Sequence, residues 1–234
     1  MLCVIYIIKK HKFLIPSKSD FRFNFKLAGD MYATGVSMGL MISLVGIGTV
    51  IMQGAINIFG TDIIVAHTTA RKISEIYMLP ISVFGAASAT FSSQNYGAGR
   101  NDRVRKGYKA SLWTVGIWGL LISAVFIWVP EPIARIFFHE PAAIATAVGY
   151  LIIIGFSEAF MCVELTTVGA LSGLGRTRLC SIISIAFTSA RIPLSIILGG
   201  IMGLDGIWWA ISSTSIVKGI IFTCTFLWIT RKRR

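Results

Sequence analysis

Charge is scarce in this sequence. Only 14% of its 234 residues are Asp, Glu, Lys or Arg, and 10 acids face 22 basic residues. A soluble domain of this length needs a charged surface, and there is too little charge to make one. Metal chemistry is equally thin. The four cysteines (Cys3, Cys162, Cys180 and Cys224) sit in apolar segments without ligand spacing, which predicts packed thiols, and His11, His67 and His139 are scattered. No strand–glycine–helix element cradles a phosphate, and no nucleophile–base constellation is visible. No catalytic residue, metal or cofactor is therefore expected, and a membrane enzyme is the weakest reading.

What is there is hydrophobic: 55% of the residues are apolar. A bilayer core of roughly 30 Å needs about 20 apolar residues at helical rise. Long apolar segments supply that over 27–59, 63–96, 103–128, 142–171, 179–198 and 206–230. Pro80 is expected to kink the second without ending it, and Pro193 lies in the fifth. Pro130-Glu131-Pro132 is expected to stop the third, with a short interfacial turn over 133–139, and Gly199-Gly200 opens the turn before the sixth. Residues 1–8 are apolar but too short to span, and the basic run Lys9-Lys10-His11-Lys12 follows them, the reverse of a signal peptide. Residues 1–20 read as the stump of a preceding helix plus a cytoplasmic linker, and 21–234 as a six-helix transmembrane lobe.

Basic residues collect on alternate loops. Lys9, Lys10, Lys12, Lys18, Arg22 and Lys26 precede the first span; Arg100, Arg103, Arg105, Lys106 and Lys109 join the second to the third; Arg176 and Arg178 join the fourth to the fifth. Four more close the chain at 231–234, whereas the opposite loops hold Asp62, Glu131, Glu140 and Asp205 against Arg135. This bias predicts a multi-pass protein of the cell membrane with both termini cytoplasmic. The net charge of +12 then reflects those loops, lipid being the partner and nucleic acid not.

Seven charged residues fall within the spans rather than at their ends: Arg71, Lys72, Glu75, Glu158, Glu164, Arg191 and Lys218. Each costs roughly 2.5–3.5 kcal/mol at a helix centre, so each needs a partner or a wet cavity. Arg71, Lys72, Glu75, Arg191 and Lys218 read as an intramembrane charge network in which Lys72 and Glu75, three apart, can touch. Glu158 and Glu164, six apart, do not share a helix face. They are either bridged internally or carry a coupling ion, because a carboxylate taken out of water gains by capturing H⁺ or Na⁺. Gln53 and Asn57, one turn apart, either line a polar path or hydrogen-bond a neighbouring helix, and Gly35, Gly39, Gly46 and Gly48 permit close packing.

Several motifs then carry a resemblance. Phe59-Gly60-Thr61-Asp62 before an Ala-rich helix, and Ser93-Gln94-Asn95-Tyr96-Gly97-Ala98-Gly99-Arg100 followed by Arg103-Val104-Arg105-Lys106-Gly107, resemble the seventh-to-eighth helix turn and the end of the eighth helix of multidrug and toxic compound extrusion (MATE) transporters. The run from Glu164 to Thr177 resembles the end of that family's tenth helix, and Gly206-Ile207-Trp208-Trp209 the opening of its twelfth. The resemblance covers nearly the whole chain from Phe21 and implies the second six-helix lobe of a twelve-helix antiporter. Such a protein exports organic cations in exchange for H⁺ or Na⁺ and needs an amino-terminal lobe or a second copy as partner. Two departures stand out. An acidic residue that some members carry in the seventh helix is replaced by apolar residues near Val45, and the family's tenth-helix carboxylate falls nearest Met161, between Glu158 and Glu164. Two other functions compete: a lipid-linked oligosaccharide flippase of the same superfamily, favoured by Arg71, Lys72, Arg191 and Lys218, and a truncated, non-transporting membrane subunit.

Overall fold

The computed structural model describes Tyr6, Lys10 and residues 23–231. Two compact units divide the chain, Met1–Val36 and Ser37–Arg234. In the first, the Asn24 carboxamide accepts the backbone N–H groups of Lys26 and Leu27 at 3.1 Å each, satisfying donors that a helix start leaves free. Apart from Tyr6 and Lys10, the stump and linker expected over 1–20 lie outside the described residues.

Among the described residues, six helices are long and apolar enough to cross a membrane: α1 (Phe25–Asn57), α2 (Thr61–Gly97), α3 (Asn101–Trp128), α5 (Pro141–Gly173), α6 (Thr177–Met202) and α7 (Leu204–Arg231). The expected all-α, six-span bundle is thus present, and the chain is a multi-pass membrane protein. Pro80 and Pro193 lie inside α2 and α6 without ending them. The third span ends at Trp128, as expected ahead of Pro130; what differs is the segment that follows it and the end of the fifth span. Pro130-Glu131-Pro132 opens a short helix, α4 (Pro130–Phe137), because proline suits a first turn whose N–H groups need no helical acceptor. Gly199-Gly200 remains inside α6, which keeps its backbone hydrogen bonds to Met202; the turn falls on Gly203, whose φ of 63° disfavours a side chain.

Side-chain pairs fix the topology of the second unit. Ser74 meets Glu158 and Met78 meets Cys162, each pair 84 residues apart, and Gly85 meets Gly169 at the same offset. A constant offset means that α2 and α5 run parallel in register. Pairs between α5 and α7 also climb together, from Tyr150–Trp208 to Glu164–Lys218, so these two are parallel as well. Tyr108–Thr167 and Gly119–Ala159 run in opposite senses, making α3 antiparallel to α5; Arg191–Thr214 and Gly199–Ile207 do the same for α6 and α7. Consecutive spans therefore alternate. The basic connections near Arg100 and Arg176 share one end of the bundle, and the acidic ones near Asp62, Glu131, Glu140 and Asp205 share the other.

The central helix is α5: half of its apolar window is buried, against 11% for α1. Lipid tails are as apolar as leucine, so close backbone approach must drive this packing. A Cβ at Gly169 would overlap the Gly85 carbonyl oxygen, and one at Gly119 would stand 2.8 Å from the Ala159 Cα. In the part of α1 that belongs to the second unit, Gly48 serves in this way, with Thr188 beside it, while Gly39 and Gly46 have nothing within 4 Å. Loosely packed α1 leaves a gap against its neighbours. The site lies there.

Candidate functional site

A cavity of about 310 Å³ opens between α1, α2, α5, α6 and α7. Its α2 wall presents His67, Arg71, Ser74, Glu75 and Met78, positions that recur every three or four residues and so share one helix face. Gln53 and Thr49 face them from α1, Tyr150 and Met161 come from α5, and Thr188 and Arg191 from α6. Polar groups thus line a predominantly apolar chamber, the usual make-up of a small-molecule site.

The ionisable residues separate into three kinds. Arg71 pairs with Glu75 one turn away at 2.9 Å, both partly open to the cavity. The contact expected between Lys72 and Glu75 is therefore corrected: the neighbouring Arg71 takes the carboxylate, because four residues of helix bring its long guanidinium alongside, and Lys72 lies on the exposed face. Glu164 and Lys218 form the second kind, a 2.8 Å bridge between α5 and α7 with only 11% and 10% of the side chains exposed. Glu158 and Arg191 form the third, and neither has an ionic partner among the described residues.

Glu158 is fully buried in α5. The Ser74 hydroxyl donates to its Oε1 from α2, while Oε2 has no hydrogen-bond partner. Ser74 is itself part of the cavity wall, so the carboxyl lies one hydroxyl behind the chamber. Arg191 is held differently: its Nε donates to Thr214 Oγ1 at 2.8 Å and its Nη2 to Ser215 Oγ at 3.0 Å, both from α7. Neutral oxygens orient the guanidinium without cancelling its charge.

At the acidic end, buried His67 stacks on Trp208 and meets the edge of Tyr150. The indole N–H can only donate and reaches His67 Nδ1 at 3.2 Å, so a neutral ring carries its proton on Nε2. Trp209 stacks on Phe156. Gln53 donates to Asn57 at 3.2 Å; the pair is bonded to itself, Gln53 lining the cavity while Asn57 is exposed. Of the cysteines, Cys162 and Cys180 are packed but Cys224 is exposed, and Cys3 lies outside the described residues. Ser74 and Tyr150 are not singled out by the sequence, and His67 there is only one of three scattered histidines. The polar period 67, 71, 74, 75, 78 on an apolar helix was the signal that could have found His67 and Ser74.

Comparison with known proteins bears on this arrangement. The sequence profile of the MatE family matches residues 37–197. A probable multidrug resistance protein NorM of Deinococcus radiodurans is 25% identical over 94% of this chain and 49% of its own length. Another, of Pseudomonas aeruginosa, is 26% identical over 75% of this chain and 38% of its own. Among solved structures, a MATE in the bent conformation superposes with a TM-score of 0.86 at 18% identity, covering 99% of this chain and 52% of that one. The chain spans about half the length of these proteins or less.

Proposed function

The chain belongs to the MatE family, and from that membership we propose that it forms one lobe of a secondary antiporter exporting amphipathic drugs in exchange for H⁺ or Na⁺. An amino-terminal six-helix lobe or a second copy would face it across the cavity, in a cell membrane with the basic ends of the bundle, and both termini, cytoplasmic. The observation that carries the reading is Glu158: a buried carboxyl that, among the described residues, has one oxygen unpartnered and no ion-pair partner, with a single hydroxyl linking it to the chamber.

Ionised, that carboxyl is a cost the fold must bear; an arriving H⁺ or Na⁺ relieves it. Relief at Glu158 changes what the Ser74 hydroxyl must do, and Ser74 sits on the helix face that lines the cavity. Ion binding therefore biases one packing of α2 on α5 over another, which is the coupling an alternating-access cycle requires. Glu164, the other carboxyl considered, is already neutralised by Lys218 and serves as a tie between α5 and α7.

The cationic residues that favoured an oligosaccharide flippase support it less well in three dimensions. Arg71 is paired, Lys218 is paired, and Lys72 faces away, leaving one unpaired cation at the cavity where a pyrophosphate would want several. A non-transporting subunit would gain nothing from a buried unpaired carboxyl beside a chamber. Substrate-triggered H⁺ or Na⁺ movement in vesicles carrying the lobe with its partner is the test. Glu158→Gln should abolish it and Glu164→Gln/Lys218→Met, which removes both buried charges together, should spare it; retention in the first variant contradicts the assignment.

A further inference from the structure

We propose that Arg191 is the receptor for an anionic group on the cargo, so that this cavity selects amphipathic carboxylates. The inference rests on the cavity being the cargo site of the proposed transporter and names the class of compound it takes.

The charges on the cavity wall do not balance. Three formally charged side chains line it: Arg71, Glu75 and Arg191. Arg71 and Glu75 neutralise one another at 2.9 Å. Arg191 is left: no carboxylate among the described residues lies within ion-pairing distance of it, and Glu164, the carboxylate whose charge reaches it through space, is committed to Lys218 at 2.8 Å. A cation inside the bilayer without a direct ion-pair partner is costly unless something negative completes it. The chain also holds this group still. Thr214 and Ser215 accept two of its five N–H donors, and Thr214 Oγ1 is fixed by donating to the Ala210 carbonyl at 2.7 Å. The remaining donors keep the planar fork that suits a carboxylate.

The rest of the wall fits an apolar body behind that group. Met52, Met78 and Met161 supply adaptable thioethers, with Ile154, Leu165, Ile192 and Ile211 around them. At about 310 Å³ the chamber has room for a two-ring aromatic acid. An organic cation, by contrast, finds no uncommitted carboxylate: Glu75 is held by Arg71, and Glu158 lies behind Ser74. The expectation of organic cations as cargo is thus shifted toward anions or toward zwitterions that present an acid.

Equilibrium dialysis of the purified full chain in detergent tests this with three matched probes: 1-naphthylacetate, the neutral 1-naphthylacetamide and the cationic 1-naphthylethylamine. A charge-assisted bond gained on binding predicts that the acetate binds roughly tenfold tighter than the amide. Arg191→Gln should erase that ratio and Arg191→Lys should keep part of it, while Arg135→Gln, away from the cavity, should change nothing. Equal binding of acetate and amide by the unaltered chain, or preference for the amine, overturns the proposal without any variant. So does a ratio that survives in Arg191→Gln, which would make the guanidinium a partner for another part of the protein. The assay involves no ion gradient: loss of coupling in Glu158→Gln and loss of acetate selectivity in Arg191→Gln are separate results, and either can fail alone.

Discussion

Replacing Lys218 by methionine should unfold this lobe far more readily than replacing both members of its ion pair. The Nζ–Oε1 distance is 2.8 Å and barely a tenth of either side chain is exposed. At that separation the Coulomb attraction is about 6 kcal/mol for an effective dielectric of about 20. Burying both ions costs several kcal/mol each, so the intact pair is worth little more than two neutral side chains of similar shape. Removing one partner is different, because Glu164 would keep its burial cost without its cation. Lys218→Met should therefore lower the unfolding free energy by about 3–5 kcal/mol, and adding Glu164→Gln should recover most of that loss. The measurement is titration of the purified chain from a mild detergent into SDS, followed by helical circular dichroism, for wild type, both single variants and the double. A double variant as unstable as the summed singles would refute the reasoning, since Glu164 and Lys218 would then not be each other's counter-ions.

Other consequences follow from the packing. Gly169→Ala sets a methyl against the Gly85 carbonyl, which cannot rotate aside, and should cost about 1–3 kcal/mol; Gly39→Ala, with nothing within 4 Å, should stay within about 0.5 kcal/mol in the same titration. Trp208→Phe keeps the ring but removes the N–H from His67 Nδ1, leaving a buried acceptor unsatisfied, and should cost about 1–3 kcal/mol, much of it recovered when His67 is also made apolar. Arg71→Gln breaks a half-exposed pair within one helix and should change stability by less than about 1 kcal/mol.

Apolar run length and the alternation of basic loops located all six spans in the sequence, because the bilayer imposes both. Helix ends were less legible. Pro130 does mark the end of α3 but also starts a helix, and Gly199, read as a breaker, lies within one, since proline and glycine act according to their position in a turn. Pairing was the least legible. Periodicity admits both Arg71 and Lys72 as partners of Glu75, and only the way α2 faces the cavity decides between them. The separate fates of Glu158 and Glu164 depend on α2 and α7, which pack on α5 from far along the chain and leave no local trace.

One measurement bears most directly on Glu158 as the ion-coupled group. In proteoliposomes carrying the lobe with its partner, substrate exchange at equilibrium can be compared with accumulation driven by an imposed H⁺ or Na⁺ gradient. Glu158→Gln should exchange substrate at close to the wild-type rate and accumulate none above equilibrium, whereas the double variant Glu164→Gln/Lys218→Met, which removes both buried charges together, should do both. Gradient-driven accumulation by Glu158→Gln at the wild-type level would contradict the account.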